Sequence, residues 1–263
     1  MRKPFALLDA DFILKLYEVS NNSGQLFIDL LLKLDFEFCC HEQILIEVER
    51  HNITASEWIR DKVKAKRIIL YSDSDILQFL KEYIRSEASS CRYYLNYLKS
   101  ACDIYGQSYF YDCYGHLEDK VEQFNVFVQE INKGDAKVGC GNNLGELKNA
   151  VLLQLLHLCT KISAYILCSD DKNARYGLFA YATRNKYSLN CISPFGFFYI
   201  ARKENLAERQ EFDDYFRSWL ESTNSLVIRL DGRKGKTVSA KTVYDDIWAD
   251  KISYNAQGYY YYQ

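Results

Sequence analysis

Two short apolar runs, each stopped by acids, constrain this chain more than any other feature. FALL at residues 5–8 runs into Asp9-Ala10-Asp11, and AYILC at residues 164–168 runs into Ser169-Asp170-Asp171. A continuous apolar run of four or five residues is the form of a strand buried on both faces, as strands of parallel sheets are. Ligands of such sheets gather at the carboxyl ends of the strands, so the two acid groups belong to one candidate site.

The segments around these runs alternate in period. Phe12, Leu16, Leu26, Leu30 and Leu34 recur at helical spacing, with Asn21-Asn22-Ser23-Gly24 as a turn. Phe36–Cys40 reads as a second strand, followed by HEQILIEVERH with Ile44, Val48 and His51 on one helical face and Glu47 and Arg50 on others. LGELKNAVLLQLLHLC and NARYGLFAYATRN read as helices on either side of the AYILC strand. YSLNCISPFGFFYI reads as a last strand and a turn around Pro194-Phe195-Gly196. Strands alternating with helices predict an α/β fold with a central parallel sheet covered on both faces.

Residues 73–138 differ. Leu77, Leu80, Tyr83, Ile84, Tyr94, Leu98, Val121, Phe124 and Phe127 predict long amphipathic helices, and YYLNYLKSACDIYGQSYFYDCYG is dense in tyrosine. The segment reads as a helical insertion between residues 1–72 and 139–200. Its tyrosines serve either packing or a protein partner. GDAKVGCGNN reads as a flexible junction. Residues 201–263 read as an extension with a helix at Phe212–Leu220, a strand at Leu226–Leu230 and a basic loop.

A chain of 263 residues buries a full core without disulfide staples. The nine cysteines form no CxxC pair and the histidines no HxxxH, which excludes zinc-finger spacing. With no signal-peptide pattern and no span long and apolar enough for a bilayer, the expectation is a reduced, cytoplasmic protein. His41 and His51 flank the Glu47 helix, His116 and His157 have no Cys or carboxylate partner at ligand spacing, and none of the four is assigned a role; the absence of GxxxxGK[ST] and GxGxxG argues against a nucleotide cofactor. A net charge of −2 excludes gripping nucleic acid by bulk charge. A local patch is then required. Arg229, Arg233, Lys234, Lys236 and Lys241 supply the densest basic loop outside residues 62–67 and are the candidate contacts to a nucleic-acid backbone, although a solvated hairpin turn has the same composition.

Clustered carboxylates are stable chiefly when a hard divalent cation neutralises them, which points to Mg2+ or Mn2+ and to phosphodiester hydrolysis. Taken singly, Asp170 or Asp171 serves equally well as a helix cap, Asp11 reads as a cap or solvated neighbour, and Glu47 and Glu146 as exposed helical residues. Taken in order, the motifs resemble the PIN-domain family. LLDADFILKL is similar to its first motif, ILIEVERH to the helix carrying the second acid, and LGELKNAVLL with ILCSDDKNAR to the third and fourth. The resemblance covers residues 4–56 and 143–200. It implies a PIN-like three-layer fold and a metal-dependent nuclease acting on single-stranded RNA. Its metal ligands would be Asp9, Glu47, Glu146 and Asp170, with Asp171 an alternative or addition, and Ser169 matches the small hydroxyl residue before the last acid. Two other readings stand beside it. Asp9-Ala10-Asp11 also resembles the DxD motif of haloacid-dehalogenase-like phosphatases, with Asp9 as nucleophile and Lys148 or Lys161 as the phosphate-binding lysine. The third is a PIN-like scaffold without chemistry that works through its tyrosine-rich insertion.

Overall fold

Strand β1 (Phe5–Leu8) divides its side chains between two cores, Ala6 and Leu8 on one face and Phe5 and Leu7 on the other. The same alternation holds in β2 (Glu37–His41), β4 (Ala164–Cys168) and β5 (Ser188–Ile192), while β3 (Ile68–Tyr71) forms the far edge. All neighbours are parallel, in the order β3-β2-β1-β4-β5. The chain therefore starts in the middle, runs outward to β3 and returns on the other side of β1. Strand order reverses between β1 and β4, and the register sets Leu8 against Cys168, so the acids that follow both strands emerge side by side. The structure, a computed structural model, describes residues 3–139, 142–160, 162, 164–222, 226–231 and 234–262, with backbone alone at 226–231 and 260–262.

Helices cover both faces. On the Ala6 and Leu8 side lie α1 (Ala10–Tyr17), α2 (Phe27–Leu31), α3 (Glu42–His51) and α4 (Ile53–Lys64). The Asn52 side chain accepts the Ala55 N–H at 3.0 Å, so α4 starts directly after α3 ends. On the Leu7 side lie α5 (Asp73–Ile84), α6 (Glu87–Ile104), α7 (Phe110–Tyr114), a 3-10 turn (Gly115–Lys120), α8 (Phe124–Val138), α9 (Leu144–Cys159) and α10 (Lys172–Arg184). A reciprocal cap opens α5: Ser72 Oγ accepts the Asp75 N–H at 3.1 Å and the Asp75 carboxylate accepts the Ser72 N–H at 2.8 Å. Leu77, Tyr94, Leu98 and Phe127 share one core with Leu7 and Tyr165, so residues 73–138 build much of the layer over this face. The supposed flexible junction is helix as far as Val138. Gly134 lies inside α8 because a Cβ there would strike the Tyr114 ring at 2.5 Å.

The segment after β5 departs from the sequence reading. Instead of a turn, Pro194-Phe195-Gly196 opens α11 (Pro194–Lys203), with Ser193 as N-cap and proline at the first helical position, where its missing N–H costs nothing. Helix α12 (Arg209–Ser222) and α13 (Ala240–Trp248) pack beside it, and β6 (Leu226–Asp231), β7 (Lys234–Ser239), β8 (Ile252–Tyr254) and β9 (Tyr260–Tyr262) form a sheet of order β7-β6-β9-β8. Aromatic contacts tie these residues to the first core: Phe27 stacks on Phe198 at 4.2 Å and Phe216 on Tyr244 at 3.9 Å. Each such pair is worth roughly 0.5–1.5 kcal/mol beyond area burial. The β5 edge is covered, as edges must be, by residues 254–259. Cys191 N–H donates to Ala256 O at 2.7 Å, and the buried Arg175 donates to Gly258 O at 2.7 Å. Every described cysteine is a free thiol, and no helix among the described residues is long and apolar enough to cross a membrane.

Candidate functional site

Asp9 occupies the N-cap position of α1 but makes no capping bond. Its side chain turns instead to Ser169, whose hydroxyl donates to Oδ2 at 2.8 Å, while its N–H donates to Cys168 O at 3.0 Å. The second carboxylate oxygen has no hydrogen-bond partner among the described residues. Burial, then the charges of Glu146, Asp11 and Glu47, push the Asp9 carboxyl well above the usual range, and the Ser169 bond only partly opposes them.

Glu47 and Glu146 are brought to Asp9 by α3 and α9. The two helices approach closely because residue 145 is glycine. A Cβ there would collide with the Glu47 carboxylate and lie 2.8 Å from Ile44 Cδ1. Without it, the Gly145 N–H donates to Glu47 Oε1 at 2.9 Å, so a free amide of the α9 N-terminus holds an anion, as helix polarity favours. Burial raises the Glu47 carboxyl despite its bonds from Gln43 and Gly145. Glu146, one residue on, is raised from 4.5 to about 7 by burial and by the charges of Glu47, Asp171 and Asp11, opposed by a backbone hydrogen bond. One turn further, the buried Asn149 bolts α9 to the sheet: its amide donates to Leu8 O at 2.9 Å and its carbonyl accepts the His41 N–H at 3.1 Å. The sequence offered no reason to single out Asn149 except its place one turn after Glu146.

Asp9, Asp11, Glu47 and Glu146 line one cleft of about 440 Å³, together with Arg50, His51 and Asn143. A second cleft of about 440 Å³ adjoins it, sharing Asn143 and Glu146 and adding Tyr105, Asp171, Asn173 and Tyr176. The remaining candidates stand elsewhere. Asp171 caps α10, accepting the N–H groups of Asn173 at 2.5 Å and Ala174 at 2.9 Å, and meets Glu146 only across the second cleft. Asp170 lines neither cleft and pairs with Lys15, whose ammonium also lies 3.6 Å from Asp11. Burial pulls Lys15 down, but Asp170 and Asp11 more than offset that and raise its pKa. The spacing of Asp11 and Lys15, four apart on a helix, was the available signal for this pair. Of the basic candidates, Lys234 and Lys236 are exposed on β7 of a hairpin and Lys241 on α13, and none lines either cleft. Arg233 lies outside the described residues, and of Arg229 only the backbone is described.

A second polar cluster is buried behind α9. Lys148, fully buried, contacts Asp73 at 2.7 Å, Asp135 at 2.9 Å and the Tyr94 hydroxyl at 3.2 Å. Tyr94 also donates to Asp73, and Tyr114 donates to Asp135 at 2.6 Å. Burial pushes Asp73 up, but Lys148 and His41 outweigh it and hold the carboxyl well below its usual range. His41, Glu42 and Asp73 set ligand atoms within 4.8 Å of one another, the spacing of a metal site. The His41 ring is already committed: Nδ1 accepts the Gln43 N–H at 3.1 Å, so the proton is on Nε2, which donates to Asp73 at 3.1 Å. The cation that pairs with Asp73 is Lys148, at the carboxylate oxygen that His41 does not use.

The oxygens of Asp9, Glu47 and Glu146 are not drawn up to that 4.8 Å spacing, as expected of like charges that repel. As a donor set they suit a hard cation. They offer only carboxylate oxygens, and the neighbouring Cys40 thiol, pushed up to about 12 by burial and by Asp9, stays protonated and is no soft ligand. No family model, curated protein or solved structure gives a significant match to this chain.

Proposed function

We propose that the chain is a PIN-like nuclease that hydrolyses phosphodiester bonds in single-stranded RNA with the help of Mg2+ or Mn2+. The observation that carries this reading is that Asp9, Glu47 and Glu146, from three separate segments, face one cleft at the point where strand order reverses. A divalent cation held by those carboxylates would supply Lewis acidity to a water and neutralise charge on the phosphate. The chain's own residues supply the rest. Ser169 fixes the orientation of Asp9, Gly145 fixes that of Glu47, and Asn149 keeps Glu146 over the strand ends. Arg50 gives the same cleft a cationic group, which an anionic substrate needs beside so many acids. Arg50 has no hydrogen-bond partner among the described residues, so its guanidinium is available to phosphate.

The phosphatase reading is weaker because Lys148, the described one of its two candidate lysines, is engaged away from the cleft. Lys148 is buried among Asp73, Asp135 and Tyr94, and Lys161 lies outside the described residues. The test is cleavage of a labelled single-stranded RNA by the purified chain in Mn2+, Mg2+ and EDTA, with Asp9→Asn in parallel. The expected result is metal-dependent cleavage that Asp9→Asn abolishes while melting at the same temperature or higher in EDTA. Cleavage that persists in EDTA or in Asp9→Asn overturns the reading, and hydrolysis of a phosphate monoester in place of RNA transfers it to the phosphatase class.

A further inference from the structure

The acid cleft does not end at Glu146. It continues past Asn143 and Glu146 into the second cleft, walled by the end of α6 and the first turns of α10. At about 440 Å³ this space lies within the range of small-ligand sites, roughly 300–1,000 Å³. Its lining combines the carboxylates of Glu146 and Asp171 with the rings of Tyr105 and Tyr176 and the amide of Asn173. Tyr176 is the unusual member. It is 64% exposed and makes no ring contact among the described residues, although most tyrosines whose side chains are described pack against neighbours. The glycine beside it lies where α10 passes close to the end of α6: a Cβ at Gly177 would sit tightly, 3.1 Å from Ile104 O, and in ordinary contact with the Tyr105 ring at 3.5 Å.

We propose that this second cleft is a nucleobase subsite, in which Tyr176 stacks a base of a single-stranded nucleic acid whose adjoining phosphate lies at Glu146. The proposal rests on the nuclease reading and narrows its substrate. A base in a duplex has both faces covered by its neighbours, whereas an unpaired base has a face to offer an aromatic ring. Every base has such a face, so the ring confers a preference for unpaired strand and little for sequence. The Asn173 amide, with both donor and acceptor atoms, is placed to contact a base edge.

The experiment compares wild type, Tyr176→Ala, Tyr176→Phe and Tyr176→Trp on a short single-stranded RNA in Mn2+, and on a set of the same RNA in which each nucleotide in turn is abasic. Stacking at this strength predicts that Tyr176→Ala raises KM about 5- to 100-fold with kcat changed less, while Tyr176→Phe and Tyr176→Trp stay near wild type. One abasic position should reproduce the loss in wild type and add nothing in Tyr176→Ala. An alanine variant that handles intact RNA like wild type overturns the subsite and leaves the nuclease reading standing, as does an equal loss on every abasic substrate. A wild-type protein that neither binds nor cleaves RNA overturns both.

Discussion

Replacing Glu146 with glutamine in metal-free buffer should make the protein more stable, and the gain should depend on pH in a defined direction. The Glu146 carboxyl is raised from 4.5 to about 7, first by burial and then by the charges of Glu47, Asp171 and Asp11. A raised folded-state value means that the folded protein binds the proton more tightly than the unfolded chain does. Stability from this group is complete below pH 4.5 and is lost as pH rises through about 7. Ionising Glu146 above that range therefore costs up to ~3 kcal/mol. The side chain is half-buried and its acidic neighbours can relax, so about 1–2 kcal/mol is the working expectation. Glutamine keeps the shape and removes the charge, and it also relieves Asp9, whose carboxyl is raised in part by Glu146. Urea unfolding in EDTA at pH 5 and pH 8.5 measures the difference. The variant should exceed wild type at pH 8.5, by a margin that shrinks markedly at pH 5, and Mn2+ should stabilise wild type more than the variant. If Glu146→Gln is less stable by the same amount at both pH values, Glu146 is a structural hydrogen-bond partner, and the account of a repelling acidic cleft is wrong.

Gly145→Ala should cost about 1–3 kcal/mol, because the added methyl meets the Glu47 carboxylate and Ile44 Cδ1 and forces α9 away from α3. Chemical denaturation measures the cost, and titration calorimetry should find weaker Mn2+ binding because Glu47 loses its Gly145 donor. Lys148→Met should lose about 3–5 kcal/mol by leaving Asp73 and Asp135 buried without their cation, a large part of the roughly 5–15 kcal/mol that holds such a domain. A shift of the urea midpoint corresponding to less than ~1 kcal/mol would show that solvent reaches the cluster and screens it.

The strands that position the site were readable because they are buried on both faces and so are apolar without interruption, as in FALL and AYILC. Strand β3 was not, since RIILYS is short, lies at the sheet edge and keeps Ile69 and Leu70 only half-buried, which leaves a weak pattern. Glycine and proline misled where packing outweighed local preference: Gly134 lies within a helix to admit the Tyr114 ring, and Pro194 opens a helix where a turn was expected. At the site, Asp9 and Asp171 follow strands in the same way, and no local rule tells them apart. The difference is tertiary. Ser169 takes up Asp9 and turns it from its cap position, whereas the first amides of α10 claim Asp171. Lys15 claims Asp170, a contact between residues 155 apart in sequence that no spacing announces.

Helix α9 explains why the layer built by residues 73–138 matters to a site whose acids lie elsewhere. Successive residues of a helix are about 100° apart, so Glu146 and Asn149 fall on neighbouring faces while Lys148 points nearly opposite to Glu146. The first two meet the cleft and the strand ends, and Lys148 meets Asp73 of α5, Tyr94 of α6 and Asp135 of α8. A helix fixed on one face alone can still roll about that contact, but one fixed on opposite faces cannot. The buried ion pairs contribute little net stability relative to an apolar filling of the same volume. What they do provide is an orientation, since an ammonium between two carboxylates and a phenol has one satisfied position and an apolar side chain has several. The tyrosine-rich layer thus acts on the site twice, by lending Tyr105 to its wall and by holding the helix that carries Glu146 in a single rotation.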